Sequence, residues 1–138
     1  MQLRPFQESD TESVIALWEL CGLTRPWNDP HLDIQRKLTV QRELFVVGVE
    51  DGDLVASAMA GYDGHRGWVN YLAVHPGSRG RGYGRALMEE LERMLADRGC
   101  PKLNLQVRAD NEQAIAFYRA LGYVPDAAVA LGKRLIAD

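Results

Sequence analysis

Seven consecutive residues, Arg79-Gly80-Arg81-Gly82-Tyr83-Gly84-Arg85, contain three glycines and three arginines. Glycine lets backbone N–H groups converge with no Cβ in the way, and a helix starting just behind adds the positive end of its dipole. Such a loop cradles anions. The chain as a whole is acidic, with 16 Lys and Arg against 19 Asp and Glu and a formal net charge of -3. Positive charge concentrated in one loop of an acidic chain points to a polyphosphate ligand. A general nucleic-acid surface would show a basic excess instead.

A strand in front and a helix behind must hold this loop. Residues 68–75, Trp-Val-Asn-Tyr-Leu-Ala-Val-His, are β-branched, aromatic and apolar, and Pro76-Gly77 stops them, which predicts the strand. From Ala86 onward Leu87, Leu91, Met94 and Leu95 recur at helical spacing, with Glu89, Glu90, Glu92 and Arg93 on the other face. Gly84-Arg85-Ala86 stands where a Walker loop needs Gly-Lys-Ser/Thr, and neither Gly80 nor Gly82 starts a G-x-G-x-x-G fingerprint. The loop fits Arg-x-x-Gly-x-Gly instead, at Arg79, Gly82 and Gly84.

The remaining chain supplies the scaffold. Further strands are expected over residues 2–6, 44–50 and 54–62, the last two joined at Asp51-Gly52, and over 103–107 and 129–136. Asp10 is placed to cap a helix with Val14, Leu17, Trp18 and Cys21 on one face, stopped by Gly22. Asp29-Pro30 should open a second helix reaching about Gln41. Asp110 and Gln113, at capping-box spacing, should open a last one carrying Ala114, Phe117, Tyr118 and Leu121 and ending at Gly122. The order β-α-α-β-β-β-α-β-α-β predicts an α/β fold of mixed α+β character: a central mixed sheet with helices on both faces. A right-handed crossover from residues 68–75 to 103–107 makes those two strands a parallel pair.

At 138 residues the chain is expected to be one domain, 1–138. Cys21 and Cys100 lie far apart with no C-x-x-C pair, so neither a zinc site nor a disulfide framework is indicated, and no metal is expected. Two such thiols, no apolar signal core at the N-terminus and no apolar run of membrane length predict a cytoplasmic protein with no membrane partner.

Leu72-Ala73-Val74-His75-Pro76 followed by the Arg79/Gly82/Gly84 pattern resembles the acetyl-coenzyme A site of the GNAT superfamily of N-acetyltransferases. Asn111-Glu112-Gln113-Ala114-Ile115-Ala116-Phe117-Tyr118 with Gly122-Tyr123 resembles that superfamily's Asn-x-x-Ala-x-x-Phe-Tyr-x-x-x-Gly-Phe/Tyr segment. The stretches Arg25-Pro26-Trp27-Asn28-Asp29-Pro30 and Gly61-Tyr62-Asp63-Gly64-His65-Arg66 look closer still to a small bacterial subgroup, the YpeA-like acetyltransferases. The resemblance implies acetyl-CoA as cosubstrate and an amine as acceptor. It assigns the pyrophosphate to Arg79, Gly80, Arg81, Gly82, Tyr83, Gly84 and Arg85. A bulge at Leu72, Ala73 and Val74 would splay the parallel pair and free amides for pantetheine and the acetyl oxygen. Asn111 would hold the pantetheine arm and Tyr118 would protonate the leaving thiolate.

The residues also carry plainer roles. Tyr118 fits an apolar helix face, and Asp29 fits a helix cap. Where some members of the superfamily carry a strand carboxylate as general base, this chain has Asn70 and Tyr71, so no base is assigned. Trp27, Asp33 and Asp63 are the candidates for the acceptor side; Trp27, between two prolines, either walls that site or lids the core. A coenzyme A-binding regulatory module without turnover shares these expectations, and an RNA-associated module using the arginines is the weaker alternative.

Overall fold

The computed structural model describes residues 1–138. Five strands form one sheet in the order β1 (Gln2–Pro5), β2 (Phe45–Glu50), β3 (Asp53–Tyr62), β4 (Gly67–Val74) and β5 (Leu103–Asn104). The first four are antiparallel neighbours, and β5 runs parallel to β4. A parallel neighbour cannot be reached by a tight turn, and the chain makes the crossover through α3 (Tyr83–Asp97).

Helices α1 (Thr11–Leu20) and α2 (Pro30–Lys37) cover one face. Phe45 and Val47 of β2, Met59 of β3 and Ala73 of β4 bury Val14, Ile15, Leu17 and Trp18 of α1 and Ile34 of α2. Side chains alternate across a strand, so Ala56, Ala58 and Ala60 of β3 turn the other way, toward α3. The α3 residues Leu87, Met88, Leu91 and Leu95 are buried there. Burial is worth about 1.5–3 kcal/mol for each such side chain, which fixes the helix behind the glycine loop.

The chain divides into two units, Met1–Leu105 with Asp138, and Gln106–Ala137. The second holds α4 (Glu112–Ala120) and no strand.

Five sequence expectations are corrected. Helix α2 stops at Lys37, short of Gln41, which takes φ 50. The Gln41 side chain instead bonds the Tyr62 backbone both ways, donating to its O at 2.9 Å and accepting its N–H at 2.7 Å. Asp10 precedes α1 without capping it, because its carboxylate accepts a forked pair from Arg4 at 2.7 and 3.0 Å and the Gln7 N–H at 2.8 Å. Asn111, rather than Asp110, caps α4. The strand expected over 103–107 shortens to two residues, and the one expected over 129–136 does not form. Alternation makes a strand only where a neighbouring edge supplies partners and a surface to cover. Val129, Leu131 and Leu135 are 83%, 91% and 86% exposed, so the pattern buries nothing.

Candidate active site

After β4, His75 Nδ1 accepts the Gly77 N–H at 2.9 Å and sets a 3-10 turn over Pro76–Ser78. Arg79 folds back, with Nε donating to the Val74 carbonyl at 3.3 Å. Gly80 and Gly82 hold φ 81 and 79. That left-handed conformation costs a residue with a Cβ about 1–2 kcal/mol. A Cβ at either position would meet nothing within 4 Å, so the demand for glycine is conformational. Gly82 is the N-cap of α3, and its first turn carries no acid. The first helical bond runs from the Ala86 N–H to the Gly82 O at 3.0 Å, leaving the amides of residues 83–85 ahead of it at the positive end of a 15-residue helix.

Two of the arginines are paired with acids. Arg81 Nη1 lies 2.9 Å from Glu50 Oε1, and Arg85 Nη1 lies 3.3 Å from Glu89 Oε1. Exposed pairs of this kind are worth about 0–1 kcal/mol, so an arriving anion can compete for both. A groove of about 600 Å³ runs beside Arg81, between α1 and the β2–β3 turn, past Leu17, Leu54 and His75. Glu50, Asp51 and Asp53 also line it, and these carboxylates disfavour a polyphosphate there.

Strand β4 is bulged, one residue earlier than expected. Ser57 pairs with Ala73 and Met59 with Asn70, so Ala58 alone faces both Tyr71 and Leu72. Tyr71 takes the extra turn at φ 54, a left-handed conformation rare for an aromatic residue and costing about 1–3 kcal/mol. On the other side β4 pairs with β5 only at Gly67–Leu103 and Trp68–Asn104. The strands therefore part before Leu72, Ala73 and Val74, as the expected splay requires.

Around the bulge, the Tyr71 ring stacks on Trp18 with centroids 4.0 Å apart, and its hydroxyl donates to Asp33 Oδ2 at 2.6 Å. Burial, reinforced by the bond to Asp33, pushes the Tyr71 phenol up to about 12. Trp18 is fully buried and donates Nε1–H to Ser57 Oγ at 3.0 Å. Trp27 lies 55% exposed in the turn before α2. Asp63 occupies the turn at the opposite end of β4 from the bulge. Its Oδ1 accepts the N–H groups of Arg66 and His65 at 2.7 and 2.8 Å, which hold its carboxyl below the usual carboxylate range.

In the second unit, Asn111 Oδ1 accepts the Ala114 N–H at 3.1 Å, which starts α4. The helix ends with the Tyr123 N–H on the Tyr118 O and the Gly122 N–H on the Arg119 O, both at 3.0 Å, with Gly122 at φ 96. This is the Schellman arrangement, which explains the Gly-Tyr that follows the helix. Tyr118 is half-buried between the edges of Phe117 and Tyr123, at centroid distances of 5.0 and 5.8 Å. Burial pushes its phenol up to about 12.

Sequence reasoning missed the Tyr71–Asp33 bond and the Glu50–Arg81 pair. Each joins residues more than thirty positions apart, and no local spacing signals it.

The sequence model of the Acetyltransferase (GNAT) family matches residues 11–123. An acetyltransferase of Yersinia enterocolitica, YE1169, is 55% identical over 138 residues, covering all of this chain and 98% of that protein. An N-acetyltransferase of Yersinia pestis is 54% identical over the same span, with the same coverage. Among solved structures, Ard1 from Thermoplasma volcanium superposes with a TM-score of 0.79 at 29% identity, covering 91% of this chain and 84% of that one.

Proposed function

The chain belongs to the acetyltransferase (GNAT) family as an N-acetyltransferase, and from this premise we propose that it moves the acetyl group of acetyl-CoA directly onto a primary amine in a ternary complex. The observation that carries the reading is one continuous run: a bulged strand that parts from its parallel neighbour, a left-handed glycine loop, and an acid-free helix start. The site fits the cosubstrate. The loop amides and Arg79, Gly80, Arg81, Gly82, Tyr83, Gly84 and Arg85 take the pyrophosphate, which needs concentrated positive charge and close backbone approach.

The amides of Leu72, Ala73 and Val74 pair with the pantetheine arm and receive the acetyl oxygen. Fixed donors aimed at a developing oxyanion supply the largest share of such catalysis. Asn111, whose Oδ1 caps the helix, donates its Nδ2–H to the pantetheine arm. Tyr118 is the general acid for the leaving sulfur in this reading. A phenol raised to about 12 stays protonated at neutral pH and donates a hydrogen bond to the growing thiolate charge. Trp27, Asp33 and Asp63 are the acceptor-side residues, with Asp33 beside the bulge and Asp63 at the far end of β4. Residues 1–138 work as one cytoplasmic domain in this reading.

An acetyl-CoA-dependent thiol-release screen tests it across four amine classes: peptide N-termini, peptide lysines, polyamines and small amino metabolites. Amine-stimulated release with intersecting double-reciprocal lines supports direct transfer. Parallel lines would indicate an acetyl-enzyme instead. Binding without release for every class would refute transfer to a primary amine.

A further inference from the structure

We propose that Asp33 and Tyr71 form a latch that holds the β4 bulge in its left-handed conformation, and that both are positioning residues for the amides of Leu72, Ala73 and Val74. The inference rests on the functional reading that those amides hold the acetyl thioester. Tyr71 is the residue that carries the bulge, at φ 54. Without glycine at that position, the conformation must be enforced from outside the strand.

Two elements enforce it. From α1, Trp18 stacks under the ring at 4.0 Å and 11°. Trp18 is itself pinned to Ser57, whose strand partner Ala73 lies just past the bulge. From α2, the Asp33 carboxylate accepts the phenol at 2.6 Å. Its other oxygen lies 3.8 Å from Arg36 Nη1, and its backbone N–H bonds the Asp29 O at 3.0 Å in the first turn of α2. The ring is stacked and its hydroxyl bonded, so the Tyr71 side chain cannot swing with a change of φ at its Cα without breaking one of these contacts. The raised phenol keeps its proton at neutral pH, so the donor the latch needs is always present. Asp33 acts through Tyr71, whose hydroxyl its Oδ2 accepts.

The test uses amide hydrogen exchange and amide NMR shifts of the full chain, with acetyl-CoA as the probe, in wild type, Tyr71→Phe, Asp33→Ala and Asp33→Asn. In Tyr71→Phe and Asp33→Ala, the amides of Leu72, Ala73 and Val74 should exchange at least tenfold faster and lose most of their acetyl-CoA-induced shift. Calorimetric affinity should fall less than it does in Gly82→Val, because the glycine loop is untouched. Asp33→Asn should stay near wild type, since its carboxamide oxygen still accepts the phenol. Unchanged amides in the first two variants would overturn the latch, as would an exchange increase spread equally to Val46 and Val47. Damage in Asp33→Asn equal to that in Asp33→Ala would show that the negative charge itself matters, and would overturn it too. If wild type shows no acetyl-CoA-induced shift at these amides, the functional reading fails there, while the exchange rates without ligand still judge the latch.

Discussion

Arg81 of the glycine loop is bonded to Glu50 at the end of β2, Nη1 to Oε1 at 2.9 Å. Two of the loop's three arginines are thus held by carboxylates, Arg81 by Glu50 across the fold and Arg85 by Glu89 on its own helix. If Arg81 serves the pyrophosphate, Glu50 is a competitor. Glu50→Gln should tighten acetyl-CoA binding about 2–5-fold at low salt, in keeping with an exposed pair worth about 0–1 kcal/mol. The gain should shrink as salt screens it. An unchanged dissociation constant at low salt would leave Arg81 outside the phosphate site.

Saturation with acetyl-CoA should stabilise the fold. At a hundredfold excess over its dissociation constant the gain is about 2.7 kcal/mol, a melting shift of roughly 8–14 °C for a domain of this size. Gly82→Val should abolish that shift, because a β-branched residue resists the φ of 79 that aims the loop amides. A thermal melt with and without ligand decides it, and a full shift in the variant would move the phosphate elsewhere.

Tyr118→Phe keeps the ring between Phe117 and Tyr123, so packing should survive. Single-turnover transfer should fall about 10²–10⁴-fold if the hydroxyl serves the leaving thiolate. Acetyl-CoA affinity should hold, since that charge develops only in the transition state. A wild-type single-turnover rate would return Tyr118 to a packing role.

The same residue makes an alkaline prediction. Its folded phenol titrates at about 12, against about 10 in the unfolded chain. The folded state therefore holds the proton more tightly. That contribution is fully present below about pH 10 and is lost as pH rises toward about 12. Urea midpoints should fall over that window in wild type and fall less in Tyr118→Phe.

Asp10 makes the opposite one. The Arg4 guanidinium, helped by the Gln7 N–H, holds its carboxyl below the usual range. Its contribution is present above the unfolded value of about 3.9 and is lost as pH falls through the lower folded value. Asp10→Asn should cost about 1.5–3 kcal/mol at neutral pH, the worth of hydrogen bonds to a charged partner. Denaturant melts should show the gap to wild type closing in acid.

Much of the chain was readable from local chemistry. The Asp51-Gly52 turn, the cap at Asp29, the α3 stripe of Leu87, Leu91 and Leu95, and the glycine loop all depend on neighbours within a few residues, so spacing reveals them. Misreadings came where a local pattern met a distant competitor. Asp10 had the right type and place for a cap, but Arg4 offered its carboxylate two charged bonds that a helix amide could not match. Residues 129–136 carry Val129, Leu131, Leu135 and Ile136 and read as a last strand, yet composition records only what a segment could cover.

What the residues and their order settle is a glycine- and arginine-rich loop between strand and helix, a capped helix carrying Tyr118, and membership of the family. What they leave to the folded chain is where the bulge falls and what holds it. Tyr71 takes a conformation its own side chain disfavours, so no propensity could point to it. Its ring and hydroxyl are secured by Trp18 and Asp33, fifty-three and thirty-eight positions away, and such contacts exist only once α1 and α2 have packed against the sheet.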